Sequence, residues 1–132
     1  MNDTVKEVKH PFAELLGFEV ASRGEGQCTT TLAISPHHLN PNGVVHGAVL
    51  YALADTGMGG ALTSLLAPDQ ICSTIEIKIN YFRPGTSGSL SCKTRVVHKG
   101  ARTAAMDSEI FDSESRLIAR ATGTFMILAR PA

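Results

Sequence analysis

Asp55 is the residue least at home in its surroundings. Between Gly47 and Pro68 the only other ionisable side chain is the phenol of Tyr51. An unpaired carboxylate among apolar neighbours is expensive, and chains keep one only where something compensates. Two readings stand: Asp55 faces a water-filled gap or caps a loop, or it serves a reaction as acid or base. Eight residues earlier, His46-Gly47-Ala48 closes a loop rich in proline, asparagine and glycine. Where a helix begins, its first-turn N–H groups lack internal partners and carry the positive end of the helix dipole. Gly47 has no side chain to hold a carbonyl oxygen away from its N–H, which is how an oxyanion hole is built. It would equally ease the turn into a helix.

The spacing bears on assembly. On one helix, Gly47 and Asp55 stand about 12 Å apart. A donor and a base acting on one carbonyl group must each sit about 3 Å from it. Helical side chains lean toward the N-terminus and recover only part of that gap. Two such helices, antiparallel across a dimer, would bring Gly47 of one copy to Asp55 of the other. The sequence therefore predicts an obligate homodimer with two shared sites.

The elements that must position these residues are legible from periodicity. Residues 1–9 read as a flexible lead-in. Pro11 opens a short helix through Leu16, which Gly17 ends. Phe18 to Ala21 and Cys28 to Ile34 read as strands around a turn at Gly24-Glu25-Gly26. From about His46 to Leu66 the apolar spacing is helical, and it is not confined to one stripe, so this helix should be buried on most sides. Gly57, Gly59 and Gly60 each cost a helix about 1 kcal/mol against alanine, which suggests that another backbone packs closely there. Ile75, Ile77, Ile79 and Tyr81 alternate with Glu76, Lys78, Asn80 and Phe82, a period of two. Leu90 to His98, Thr103 to Phe111 and Leu117 to Leu128 complete the strands. The expected fold is α+β, one domain over residues 1–132, with a mainly antiparallel sheet curled about one long helix.

Composition narrows the function. Twelve basic and twelve acidic residues cancel, so no net field draws the chain to nucleic acid or an anionic membrane. No apolar run reaches the length of a membrane span, and the N-terminus lacks the apolar region of a signal peptide. Cys28, Cys72 and Cys92 lie far apart with no zinc spacing; with the missing signal peptide they point to the cytoplasm. His37, His38 and His46 fit no standard metal site, so no metal is expected. Gly57-Met58-Gly59-Gly60 lacks the ending of a phosphate loop.

Asn40-Pro41-Asn42-Gly43-Val44-Val45-His46-Gly47-Ala48, with Leu53-Ala54-Asp55-Thr56-Gly57-Met58-Gly59, resembles the signature of hotdog-fold acyl-CoA thioesterases. The phenylacetate-pathway branch of the 4-hydroxybenzoyl-CoA thioesterase superfamily is the closest type. Ile75 to Pro84 is similar to the family's strand after the helix, and His98 to Thr103 to its later turn. The resemblance covers roughly residues 10 to 128 and implies hydrolysis of an aryl- or short- to medium-chain acyl-CoA, with no cofactor beyond the CoA of the substrate. It implies Asp55 as general base or nucleophile and Gly47 N–H as the group polarising the carbonyl. Asn40 would help hold water or carbonyl, and His46 would brace the loop. Thr74, with Ser73 as its rival if the register slips by one, would assist at the site. CoA contacts would fall at Tyr81, Arg83, Pro84, His98, Lys99, Gly100, Arg102 and Thr103. Arg83, Lys99 and Arg102 are then phosphate partners, unless they are solvated surface charges. The implied assembly is a homodimer pairing into a homotetramer. One departure is Ala48, where the family carries a second glycine; it bears on the fit of the pantetheine arm.

Two other classes compete, because a fold does not fix a function. A hotdog hydratase or dehydratase needs a paired histidine and carboxylate, yet Gly60 stands where the helix would carry the histidine. A non-catalytic acyl-CoA sensor would have no reason to keep an isolated acid in its pocket.

Overall fold

The computed structural model describes residues 10–132, so the expected lead-in over residues 1–9 lies outside the described residues. In chain order the elements are α1 (Pro11–Leu16), β1 (Phe18–Gly24), β2 (Gln27–Ala33), a 3-10 turn (Pro36–His38), α2 (Gly47–Thr63), β3 (Gln70–Tyr81), β4 (Ser89–Lys99), β5 (Thr103–Phe111) and β6 (Leu117–Ala129). The strands form one antiparallel sheet in the order β1-β2-β4-β5-β6-β3. This is the hotdog fold, with the sheet curled about α2. The free edges among the described residues are β1 and β3.

Local chemistry sets the helix limits. Pro11 opens α1, His10 Nδ1 accepts from the Ala13 N–H, and Gly17 ends the helix in the left-handed region. The predicted His46–Leu66 run is shorter in the structure, ending at Thr63. Beyond it the chain tightens: Leu65 and Leu66 donate to carbonyls three residues back, and the Ser64 hydroxyl donates to the Ala61 carbonyl.

α2 is covered on most sides, as its spread of apolar residues predicts, and only one stripe is left open. Leu50, Leu53, Ala54, Met58, Ala61 and Leu62 are buried. Ala48 and Thr63 are exposed, and Tyr51, Asp55 and Gly59 between them are half-buried. These five recur every three or four residues and so form one stripe. The two free sheet edges do not meet over it.

The helix glycines also differ from expectation, because the close neighbours are side chains rather than backbone. A Cβ at Gly57 would fall 2.5 Å from Thr94 Oγ1, and one at Gly60 would fall 2.8 Å from Cys28 Sγ. Thr94 is fixed in turn by a 2.6 Å hydrogen bond with the Ser108 hydroxyl, while the Thr30 hydroxyl donates to the Leu53 carbonyl. Among the described residues no buried side-chain nitrogen or oxygen lacks a partner.

Strand β3 carries the expected period of two, with one slip. Its register with β6 passes from Thr74↔Phe125 to Glu76↔Thr124, leaving Ile75 unpaired as a bulge and 50% exposed. Thr74 and Ile77 therefore share the helix side of the sheet, where strict alternation would have placed Ser73.

Gly57→Ala should lower unfolding free energy by about 1–3 kcal/mol despite alanine's better helix propensity, because the pinned Thr94 hydroxyl leaves no room. Urea denaturation checks this; an unchanged or raised midpoint would contradict the packing.

Candidate active site

The loop before α2 is organised around Asn40. Its Oδ1 accepts from the Asn42 N–H at 2.9 Å and the Val44 N–H at 3.3 Å. The Asn40 N–H donates to the Val44 carbonyl, closing a turn that Gly43 completes with φ of 81°. The Asn40 carbonyl oxygen is thus committed to its own loop, and its amide NH2 remains for a ligand. Val45 donates to the Gly85 carbonyl and His46 to the His38 carbonyl, which ties the loop to its neighbours.

His46 stands just outside α2 as its cap. Its Nδ1 accepts from the Ala48 N–H at 2.9 Å, and its carbonyl accepts from the Val49 N–H. Gly47 N–H has no acceptor among the described residues, so it is the first-turn amide left for a ligand. The Tyr81 hydroxyl donates to the Gly47 carbonyl at 2.9 Å, and its ring would lie 3.0 Å from a Cβ at position 47. Glycine is needed there to admit the tyrosine ring. Burial, with the nearby Tyr51 phenol adding to it, raises the Tyr81 pKa, so the hydroxyl stays a donor at neutral pH.

Two turns along α2, Asp55 lies in the uncovered stripe. Thr74 Oγ1 donates to Asp55 Oδ1 at 2.7 Å. It is Thr74 rather than Ser73 that reaches the carboxylate, because of the bulge at Ile75. No lysine or arginine among the described residues pairs with Asp55. The carboxylate opens on a cavity of about 700 Å³ between α1, β1 and α2, which Phe12, Phe18, Val20 and Ala52 help to line. Neither this cavity nor the Tyr81–Gly47 contact was evident from the sequence, since both depend on how separate strands align.

Strand register sorts the remaining candidates into two groups. Thr74 pairs with Phe125, Phe125 with Ala104, and Ala104 with Lys99, so Lys99 lies level with Thr74, and the turn through Gly100 and Arg102 to Thr103 follows at that end. A bulge at Val97 sets Lys99 on the helix side and His98 on the other. Tyr81, Arg83 and Pro84 lie at the opposite end of β3, where Tyr81 pairs with Ala119. Thr74 and Tyr81 are seven residues apart, about 23 Å along a strand. One chain therefore brings Asp55, Thr74 and Lys99 toward one end, and Gly47, His46, Tyr81 and Arg83 toward the other. It does not unite them.

Among the described residues no three histidine, cysteine, aspartate or glutamate side chains converge as a metal site would need, and no helix is long and apolar enough to cross a membrane.

Cys72 offers a probe of the Asp55 charge. Burial raises its thiol pKa; the hydrogen bond from Thr63 opposes this, and the charge of Asp55 adds to it. A negative neighbour disfavours the thiolate, so Asp55→Asn should move the pH midpoint of Cys72 alkylation to lower pH. Mass-spectrometric rates with iodoacetamide, measured across pH, would report this; an unmoved midpoint would place the carboxylate elsewhere.

The profile of the thioesterase superfamily matches residues 42–119. Acyl-coenzyme A thioesterase PaaI of Escherichia coli is 32% identical over 110 residues, which span 81% of this chain and 75% of that protein. The solved structure of PaaI, from the phenylacetic acid degradation operon, superposes with a TM-score of 0.88 at 26% identity, covering 98% of this chain and 92% of that one. A conserved protein of Pseudomonas aeruginosa superposes with a TM-score of 0.88 at 34% identity, covering 93% and 98%.

Proposed function

Because the chain belongs to the thioesterase superfamily and is a thioester hydrolase, we propose that its substrates are acyl-CoA thioesters with an aryl or a short- to medium-chain acyl group. The acyl-CoA class is supported by the Escherichia coli relative, an acyl-coenzyme A thioesterase. The observation that carries the mechanism is the 2.7 Å hydrogen bond from Thr74 to Asp55. It occupies Oδ1 and orients the carboxylate, leaving Oδ2 to take a proton from water.

Water attacks the thioester carbonyl carbon as its proton passes to Asp55. The carbonyl oxygen becomes an oxyanion held by a Gly47 N–H, with the dipole of α2 behind it. Collapse of the tetrahedral intermediate breaks the C–S bond, and the CoA thiolate leaves. The proton on Asp55 then returns to solvent or to the thiolate. Arg83 from one side and Lys99 and Arg102 from the other supply cations for the phosphates of CoA.

The Gly47 that serves a given Asp55 belongs to a second copy. Within one chain they stand about 12 Å apart on the same helix. Strand β3 offers a free edge of 12 residues, which favours pairing with another strand. A two-fold axis passing between Ile77 and Lys78 would set Thr74 of one copy opposite Tyr81 of the other. The same operation joins the two groups of candidate residues that one chain keeps apart. The apolar Val97, Met126 and Leu128, exposed toward one end of the sheet, supply a surface on which dimers pair into a tetramer.

Asp55→Asn should cut kcat by two or more orders of magnitude, with KM little changed, on a panel of aryl, short and medium acyl-CoAs followed with a thiol reagent. Absence of turnover by the native protein on all of them would remove the acyl-CoA assignment. Mixing Asp55→Asn with Gly47→Leu subunits should restore about one quarter of native activity after random exchange, because half the dimers then hold one intact site. Light scattering of each variant establishes that the subunits still associate; no recovery from properly assembled mixtures would mean that the site is not shared.

A further inference from the structure

Strand β1 contains a bulge that the mechanism above does not use. Its register with β2 passes from Val20↔Thr30 to Ser22↔Thr29, leaving Ala21 unpaired. Strict alternation from Phe18 and Val20 would turn Ser22 toward the helix and Arg23 away. The bulge reverses this, and Arg23 stands opposite Cys28, which is buried. Its stem lies against α2 where Gly60 has no side chain; a Cβ there would come within 3.3 Å of Arg23 Cδ. The Cys28 thiol registers the same proximity. Burial, aided by Cys92, pushes its pKa up to about 11, and the charge of Arg23 opposes that shift.

Arg23 is thus a half-buried cation on the wall of the cavity that Asp55 opens onto. The other titratable groups lining that cavity are His10, Glu14 and Glu19, all exposed, and Thr74-bound Asp55. None of these carboxylates lies within ion-pair distance of Arg23. Among the described residues the guanidinium pairs with no carboxylate, and none of its nitrogens is buried unsatisfied, so its N–H groups stay available to a ligand oxygen entering the cavity.

On the reading that the cavity receives the acyl group of an acyl-CoA, we propose that Arg23 is a specificity-determining residue, which binds a hydroxyl or carboxylate oxygen at the far end of that group. Gly60, under the arginine stem, lies five residues beyond Asp55. That is about 7.5 Å along the helix, a span suited to roughly four to six carbons between the thioester and the distal oxygen. Glu14 and Glu19 at the cavity rim oppose a second negative charge, so the hydroxyl is the better of the two oxygens.

The test compares kcat/KM for hexanoyl-CoA, 6-hydroxyhexanoyl-CoA and adipyl-CoA. The native protein should favour at least one oxygenated substrate over hexanoyl-CoA by about tenfold or more. Arg23→Met should abolish that preference while leaving hexanoyl-CoA turnover within about threefold, which also reports on folding. Arg23→Gln, which keeps a neutral donor, should retain part of the preference for the hydroxyl and lose any for the carboxylate. Equal rates on all three substrates, or a preference that survives Arg23→Met, would overturn the proposal. Should neither variant fold, inhibition of the native protein by 6-hydroxyhexanoate and adipate decides: neither exceeding hexanoate would overturn it. Failure of the acyl-CoA reading itself looks different, since hexanoyl-CoA would then not be cleaved either.

Discussion

A carboxylate can sit on an otherwise apolar helix only where the protein leaves it a route to water, and the open stripe of α2 provides that route. Six strands cover most of the helix circumference with leucine, isoleucine, methionine and phenylalanine. The two sheet edges stop short of the other side, and the stripe they leave holds Asp55. The hydrophobic face holds the helix in place by burial of apolar area. The open stripe is what makes chemistry possible. The glycines at 57 and 60 let the helix press closely on β4 and β2 at that depth, which a bulkier residue would prevent.

Much of this was legible in the residues. The six strands, the two helices and the isolation of Asp55 follow from spacing alone, because burial on one sheet face imposes a period of two and helix packing a longer one. What periodicity does not encode is where a strand slips by one residue. Bulges at Ala21, Ile75 and Val97 each change which neighbouring side chain turns toward the helix. They decide between Ser22 and Arg23, between Ser73 and Thr74, and between His98 and Lys99. The sequence leaves the choice between Ser73 and Thr74 open for that reason. A bulge is stabilised by cross-strand packing and by what it points at, neither of which is local in sequence. The one-sided exposure of α2 was equally hidden, since alanine, glycine and threonine in its open stripe carry little hydrophobic contrast with the buried face.

The same register divides the candidate residues into two sets at opposite ends of β3. Each set is chemically incomplete: one has an acid held by a hydroxyl, the other an amide that sits at the positive end of a helix and has no acceptor among the described residues. The spacing from Gly47 to Asp55 along α2 and that from Tyr81 to Thr74 along β3 each exceed what a single carbonyl group can bridge. Neither the helix nor the strand needs to bend if two copies meet antiparallel.

The Tyr81–Gly47 contact has a mechanical consequence. Its ring and hydroxyl clamp the last residue of an edge strand to the first residue of the central helix, while Thr74 near the other end of that strand holds Asp55. Edge strands fray most readily at their ends. Peeling β3 from the sheet would loosen the Tyr81 hold on Gly47 and the Thr74 hold on Asp55 together, so both halves of the chemistry depend on one edge strand staying paired.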